Sequence, residues 1–94
     1  MNLDEQDPFE IPIDGTLDLH TFSPKDVKEL VPDYLEACRE KGILSVRIIH
    51  GKGTGQLRQF VHTILQRLPY VATFYTAPDA SHWGATIVDL YPPN

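Results

Sequence analysis

The sequence predicts an α/β domain, more narrowly an α+β two-layer sandwich. Its expected element order is β-α-β-α-β-β, with a mixed four-stranded sheet and two helices on one face. Three observations carry this prediction. A chain of 94 residues makes one domain, not two. Two segments repeat one apolar spacing at helical period. Four short β-rich runs surround those segments, in an order that joins strands through helices.

Residues 1–13 read as an acidic extended arm, interrupted by Pro8 and Pro12 and able to pack through Phe9, Ile11 and Ile13. The folded unit is expected over 14–91, with 92–94 as a short Pro-Pro-Asn tail. Thr16–His20 alternates, with Leu17 and Leu19 on one face and Asp18 and His20 on the other. Val27, Leu30, Val31, Tyr34, Leu35 and Cys38 form the first helical stripe, capped by Ser23, opened by Pro24 and ended at Gly42. Pro32 lies within that stripe, so a kink or break is expected near Lys28–Val31. Leu44–Ile49 is the second strand. Leu57, Phe60, Val61, Ile64, Leu65 and Leu68 repeat the stripe, on a helix starting around Gly55–Gln56 and stopping before Pro69. Val71–Thr76 is the third strand, with Val71, Thr73 and Tyr75 opposed to Ala72 and Phe74. Ala85–Leu90 is the last, antiparallel to the strand before it. Tyr34, Cys38 and Phe60 are assigned to the core, and His62, off the stripe, to an exposed surface.

The net charge of −5 argues at first against a polyanion as partner, but the charges are segregated. Residues 1–18 carry six acids and no base, whereas residues 41–78 carry Lys41, Arg47, Lys52, Arg58 and Arg67 and no acid. A locally basic half attracts phosphate even in an acidic chain, with salt-dependent affinity. A lone cysteine, Cys38, excludes an internal disulfide. No apolar run reaches membrane-spanning length, and Met1–Glu10 has no signal-peptide core, so a cytoplasmic protein without membrane association is expected. A domain this small suggests an open site suited to a polymer.

Two histidines close strands. His20 ends the first and His50 the second, so imidazoles on adjacent parallel strands are expected to reach one ligand. Asp18, two residues before His20, shares its side and can orient its ring. After His50 come Gly51, Lys52, Gly53, Thr54 and Gly55, leading into the second helix. This run has the makings of a phosphate cradle: flexible glycines, backbone donors and a positive helix end, with Lys52, Thr54 and Arg58 as side-chain donors. It is neither a Walker loop nor a dinucleotide fingerprint. A tight strand-to-helix turn explains the same residues without any ligand. His50 is equally open to a second reading, as a hydrogen-bonded residue that shapes the loop.

The run Leu17-Asp18-Leu19-His20, then His50-Gly51-Lys52-Gly53-Thr54-Gly55, then Gly84-Ala85-Thr86-Ile87-Val88 resembles the Smr (small MutS-related) domain over residues 15–91. The resemblance implies the two-layer fold above, like the C-terminal domain of a bacterial translation initiation factor. It also implies binding of DNA or RNA and, in several members, endonuclease activity by nicking or cleavage. The family's Asp-x-His falls on Asp18 and His20, and its glycine loop on His50–Gly55. Two positions depart from it. Thr21 stands where glycine commonly follows the histidine, and Ser81-His82-Trp83-Gly84 keeps one glycine of a usual pair. Trp83 is then a candidate for stacking on a base.

The expected chemistry is phosphodiester cleavage. Asp18, His20 and His50 are the candidate catalytic residues. Gly51, Lys52, Gly53, Thr54, Gly55, Arg58 and Trp83 are the candidate nucleic-acid contacts. His20, oriented by Asp18, serves as general base on a water or a ribose 2′-hydroxyl, and His50 protonates the leaving oxygen or stabilises charge. RNA cleavage needs only these groups. DNA cleavage, lacking an internal nucleophile, calls for a metal, and weakly held Mg²⁺ or Mn²⁺ at Asp18 is the candidate. No dedicated metal site is expected, since the histidines lack short-spaced ligand pairs. The alternatives are a non-catalytic DNA- or RNA-binding module and an adaptor acting through the acidic arm.

Overall fold

The computed structural model describes residues 11–51, 53–78 and 84–94. Its elements follow the expected order: β1 (Thr16–Asp18), α1 (Pro24–Glu40), β2 (Ser45–Ile49), α2 (Gln56–Gln66), β3 (Val71–Thr76) and β4 (Ala85–Leu90). The sheet order is β1-β2-β4-β3. β1 runs parallel to β2, and β4 lies between β2 and β3, antiparallel to both. The architecture is thus an α+β fold with a mixed four-stranded sheet and two helices.

The sheet's inner face and the two helical stripes form one core. Leu17, Leu19, Val46, Ile48, Val88 and Leu90 come from the strand side, and Val27, Val31, Leu35, Val61 and Leu65 from the helices. Each such side chain stabilises the fold by about 1.5–3 kcal/mol when fully buried. Tyr34 and Cys38 are buried on the α1 stripe as expected, and the Cys38 thiol is free. Burial pushes the ionisation of both groups up. Ile11 and Ile13, the described part of the arm, pack against this core. No helix among the described residues is long and apolar enough to cross a membrane.

Local chemistry sets the helix ends. Ser23 accepts the Asp26 N–H at 3.4 Å, and its hydroxyl donates to Asp26 Oδ2 at 3.0 Å. At the other end Gly42 adopts φ 81°, while Gly42 N–H donates to Arg39 O and Ile43 N–H to Cys38 O. This left-handed closure satisfies the last carbonyls and favours glycine. Of the kink or break expected near Lys28–Val31, the break does not occur: α1 runs continuously through Pro32. A proline inside a helix costs about 3 kcal/mol through its lost hydrogen bond and ring clash, and the buried stripe on α1 outweighs that. The Pro32 carbonyl also accepts the Tyr70 hydroxyl at 3.1 Å, tying α1 to the start of β3.

The strict alternation expected for β3 fails at its first residues. The pairing with β4 shifts between Val71 and Thr73, so Val71 and Phe74 both pack against the core. Such a bulge resets the side-chain parity of the residues that follow.

Tyr34 ties the N-terminal segment to α1. Its oxygen accepts the Gly15 N–H at 3.1 Å and its hydroxyl donates to Thr16 O at 3.0 Å. Tyr34→Phe keeps the ring but strands these backbone groups. We expect a loss of about 1–3 kcal/mol in urea unfolding, with no change in far-ultraviolet circular dichroism.

Candidate functional site

Asp18 and His20 form a tight surface pair. His20 Nδ1 lies 2.8 Å from Asp18 Oδ1, and the His20 backbone N–H donates to the same oxygen at 3.0 Å. These two hydrogen bonds, the backbone one foremost, hold the Asp18 carboxyl below its usual range. The imidazole is 72% exposed and the carboxylate 48%. Because a carboxylate only accepts, Nδ1 carries a proton, and in the neutral ring Nε2 is then the atom with the lone pair.

The two strand-end histidines do not converge as expected. β1 and β2 are adjacent, with Asp18 opposite Ile49 and the Leu19 N–H donating to Ile49 O at 2.9 Å. However, Val46 and Ile48 are buried, and the same alternation carries His50 to the inner face. His20, in step with Asp18, leaves from the outer face. His50 is only 6% exposed, with Nδ1 3.1 Å from Gly51 O and Nε2 2.9 Å from Thr86 Oγ1. Both ring nitrogens are thus engaged inside the protein. The expectation that His50 hands a proton to a leaving group does not fit this geometry. The reading of His50 as a loop-shaping residue does.

Two residues missed in the sequence complete this inner cluster. His62 is not simply exposed: its Nε2 sits 2.8 Å from Thr86 Oγ1, and its ring packs on Phe74 with centroids 4.9 Å apart. Thr86 is fully buried. Its signal was parity, since Thr86, Val88 and Leu90 share a face and a lone hydroxyl among them requires a buried partner. Arg58, one turn before His62, places a guanidinium nitrogen 3.5 Å from Thr76 Oγ1. Burial, then the Arg58 charge, lowers the His62 pKa. For His50, burial is the main lowering influence, with Arg58 adding to it against the Gly51 hydrogen bond.

The glycine loop runs alongside. Gly51, Gly53 and Gly55 take φ values of 80°, 35° and 88°, a region that side chains resist. A Cβ at any of them meets nothing within 4 Å, so backbone conformation, not crowding, is the reason for glycine. The His50 and Gly51 N–H groups both donate to Gly84 O at 2.9 Å. Those two amides therefore anchor the loop to the start of β4 and do not face a ligand. The Gln56 N–H at the start of α2 reaches Thr54 Oγ1 at 3.3 Å. α2 has no acidic residue in its first turn, leaving its positive end uncompensated. A half-open cleft of about 460 Å³ lies here. Phe22, Pro24, His50, Thr54, Leu57 and Arg58 are among the residues that line it. Lys52 and Trp83, both candidate contacts, and His82 lie outside the described residues.

Among the described residues no three His, Cys, Asp or Glu side chains gather to hold an ion. Asp18 offers one carboxylate, with one of its oxygens already committed to His20.

A two-layer domain with an Asp-x-His pair at one strand end and a glycine loop entering a helix at the next defines a small MutS-related class of domain. The Smr domain family model matches residues 17–91, and the chain belongs to that family. It is 35% identical over 79 residues to the endonuclease MutS2 of Halothermothrix orenii and 39% identical over 75 residues to that of Carboxydothermus hydrogenoformans. These alignments cover 83% and 79% of this chain, but the chain spans about a tenth of each relative. The crystal structure of the Smr domain of Thermus thermophilus MutS2 superposes with a TM-score of 0.79 at 35% identity, covering 84% of this chain and all of that one. YdaL, a stand-alone small MutS-related protein from Escherichia coli, shares the fold with a TM-score of 0.74 at 24% identity, over 87% of this chain and 68% of that one.

The lowered histidine pKa values make stability depend on pH. Unfolded imidazoles titrate near 6.5, while His50 and His62 bind protons less readily when folded. The unfolded state therefore takes up more protons as pH falls below about 7, and stability drops. Urea midpoints are expected to decline from about pH 7.5 to 5.5, with a shallower decline in His62→Gln.

Proposed function

We propose that this chain is a nucleic-acid-binding Smr domain that cleaves phosphodiester bonds, with His20 as general base held by Asp18 beside the glycine loop. The observation that carries the reading is the 2.8 Å Asp18–His20 contact on a highly exposed ring. It fixes the tautomer whose free Nε2 accepts a proton, and it sits at the strand end that adjoins the loop. The names of the MutS2 relatives support an endonuclease over other chemistries.

In this reading the start of α2, Thr54 and Arg58 hold a substrate phosphate, with Lys52 and Trp83 contributing by their sequence positions. His20 Nε2 takes the proton of a ribose 2′-hydroxyl or a water. That oxygen attacks phosphorus, the bond to the departing oxygen breaks, and solvent supplies the proton the departing oxygen needs. His50 takes no part in the proton transfers and instead holds the loop. One acid–base group accounts for about 10²–10⁴ in rate.

A second reading, a DNA- or RNA-binding module without catalysis, is favoured by the engagement of both His50 nitrogens, which removes His50 as a partner acid for His20. Labelled RNA and DNA panels, each with and without EDTA, separate the two. His20→Ala is expected to lose about 10²–10⁴ in cleavage rate while retaining binding, and Asp18→Asn to lose less. EDTA should leave RNA cleavage intact. Equal background from the wild type and His20→Ala on every substrate, with binding preserved, establishes the module reading instead.

A further inference from the structure

The inner cluster has one consistent direction. The Gly51 carbonyl only accepts, so the His50 Nδ1 at 3.1 Å must carry the proton. His50 Nε2 then has a lone pair and accepts the Thr86 hydroxyl at 2.9 Å. That hydroxyl, having given its single proton, accepts the His62 Nε2–H at 2.8 Å. Three hydrogen bonds thus run head to tail from α2, across β4, to the first peptide of the glycine loop. With both rings neutral, the state their burial favours, each is the only arrangement compatible with the one before it.

Such a chain is costly where α2 meets the sheet, because each buried polar atom there loses water. Apolar residues at the same positions would pack without that cost. What the chain supplies is a fixed direction for the Gly51 carbonyl, at a residue whose φ is already in the left-handed region. The Gly51 N–H is fixed separately by Gly84 O. Together the two contacts pin both polar groups of Gly51, and with them the path of the loop.

We propose that His62, acting through Thr86 and His50, is the positioning residue for the glycine loop. It touches no substrate. Through Thr86 it reinforces the His50 tautomer that the Gly51 carbonyl selects, and that tautomer holds the loop in its phosphate-gripping shape. The affinity consequence rests on the function proposed above; the structural consequence does not.

Two variants separate positioning from simple packing. His62→Gln retains an N–H donor for Thr86, whereas His62→Leu fills the space without one. Thr86→Val removes the relay hydroxyl at nearly constant volume. Long-range proton–nitrogen NMR of the wild type should show His50 protonated on Nδ1 and His62 on Nε2. In His62→Leu and Thr86→Val the His50 tautomers should mix, and the amide resonances of Gly51, Gly53 and Gly55 should shift or broaden. His62→Gln should restore both signatures. With a fluorescein-labelled single-stranded oligonucleotide as probe, the two disruptive variants should bind about tenfold more weakly, and His62→Gln within about twofold of the wild type. Unchanged loop amides in His62→Leu, or a His62→Gln variant as impaired as His62→Leu, overturns the proposal. A wild type that binds no oligonucleotide overturns the nucleic-acid reading alone, since the tautomer and amide signatures still decide the positioning role. Should Thr86→Val fail to fold, the His62 pair carries the test.

Discussion

The pairing of β1 with β2 is the constraint on which the rest of the site depends. The Leu19 N–H to Ile49 O bond extends that ladder one residue past β1 and sets the two strand ends side by side. The side-chain period of two then sends His20 outward and His50 inward. A slip of one residue would bury Asp18 and His20 and expel Leu17 and Leu19. The core leucines, both fully buried, therefore determine where the acid–base pair stands. The site's geometry follows from apolar packing before any catalytic requirement is considered.

Much of this was legible in the sequence because the signals were redundant. Ser23, Pro24 and Gly42 each marked a helix end by a different mechanism, and the structure uses all three. The Asp-x-His and glycine elements were found at the right strand ends. His50 was misplaced for an avoidable reason. Its distance of two and four residues from Ile48 and Val46 already put it on the buried face. Position at a strand end was weighed, and parity was not. His62 was harder, since a helix residue beside an apolar stripe is buried or exposed according to what lies opposite. Here that is Thr86, a contact between distant segments that no local pattern records. The β3 bulge was illegible for a similar reason, because it arises from register against β4.

The two helices of this small domain begin differently, and the difference bears on the loop. α1 satisfies its own N-terminus, with a serine cap, a proline in the first turn and a carboxylate at Asp26. α2 starts from Gly55, which has no side chain to cap with, and carries no acid in its first turn. Helix starts favour a negative group by about 0.3–1 kcal/mol. On α1 that group is built in. On α2 it has to come from elsewhere, and the nearest built-in hydroxyl, on Thr54, is a weak neutral substitute. The basic residues of 41–78 lie in the same part of the sequence as this uncompensated end.

The acidity of the whole chain is therefore no objection to an anionic partner. Its carboxylates are concentrated before β1, on α1 and after β3, whereas the loop and α2 contain none. Asp18 is the exception, and its charge is drawn toward His20 by two hydrogen bonds. A carboxylate so engaged repels phosphate less than a free one and holds the ring beside it in one orientation. An exposed Asp18–His20 pair and a buried chain through His50 thus give two histidines at adjoining strand ends two distinct environments.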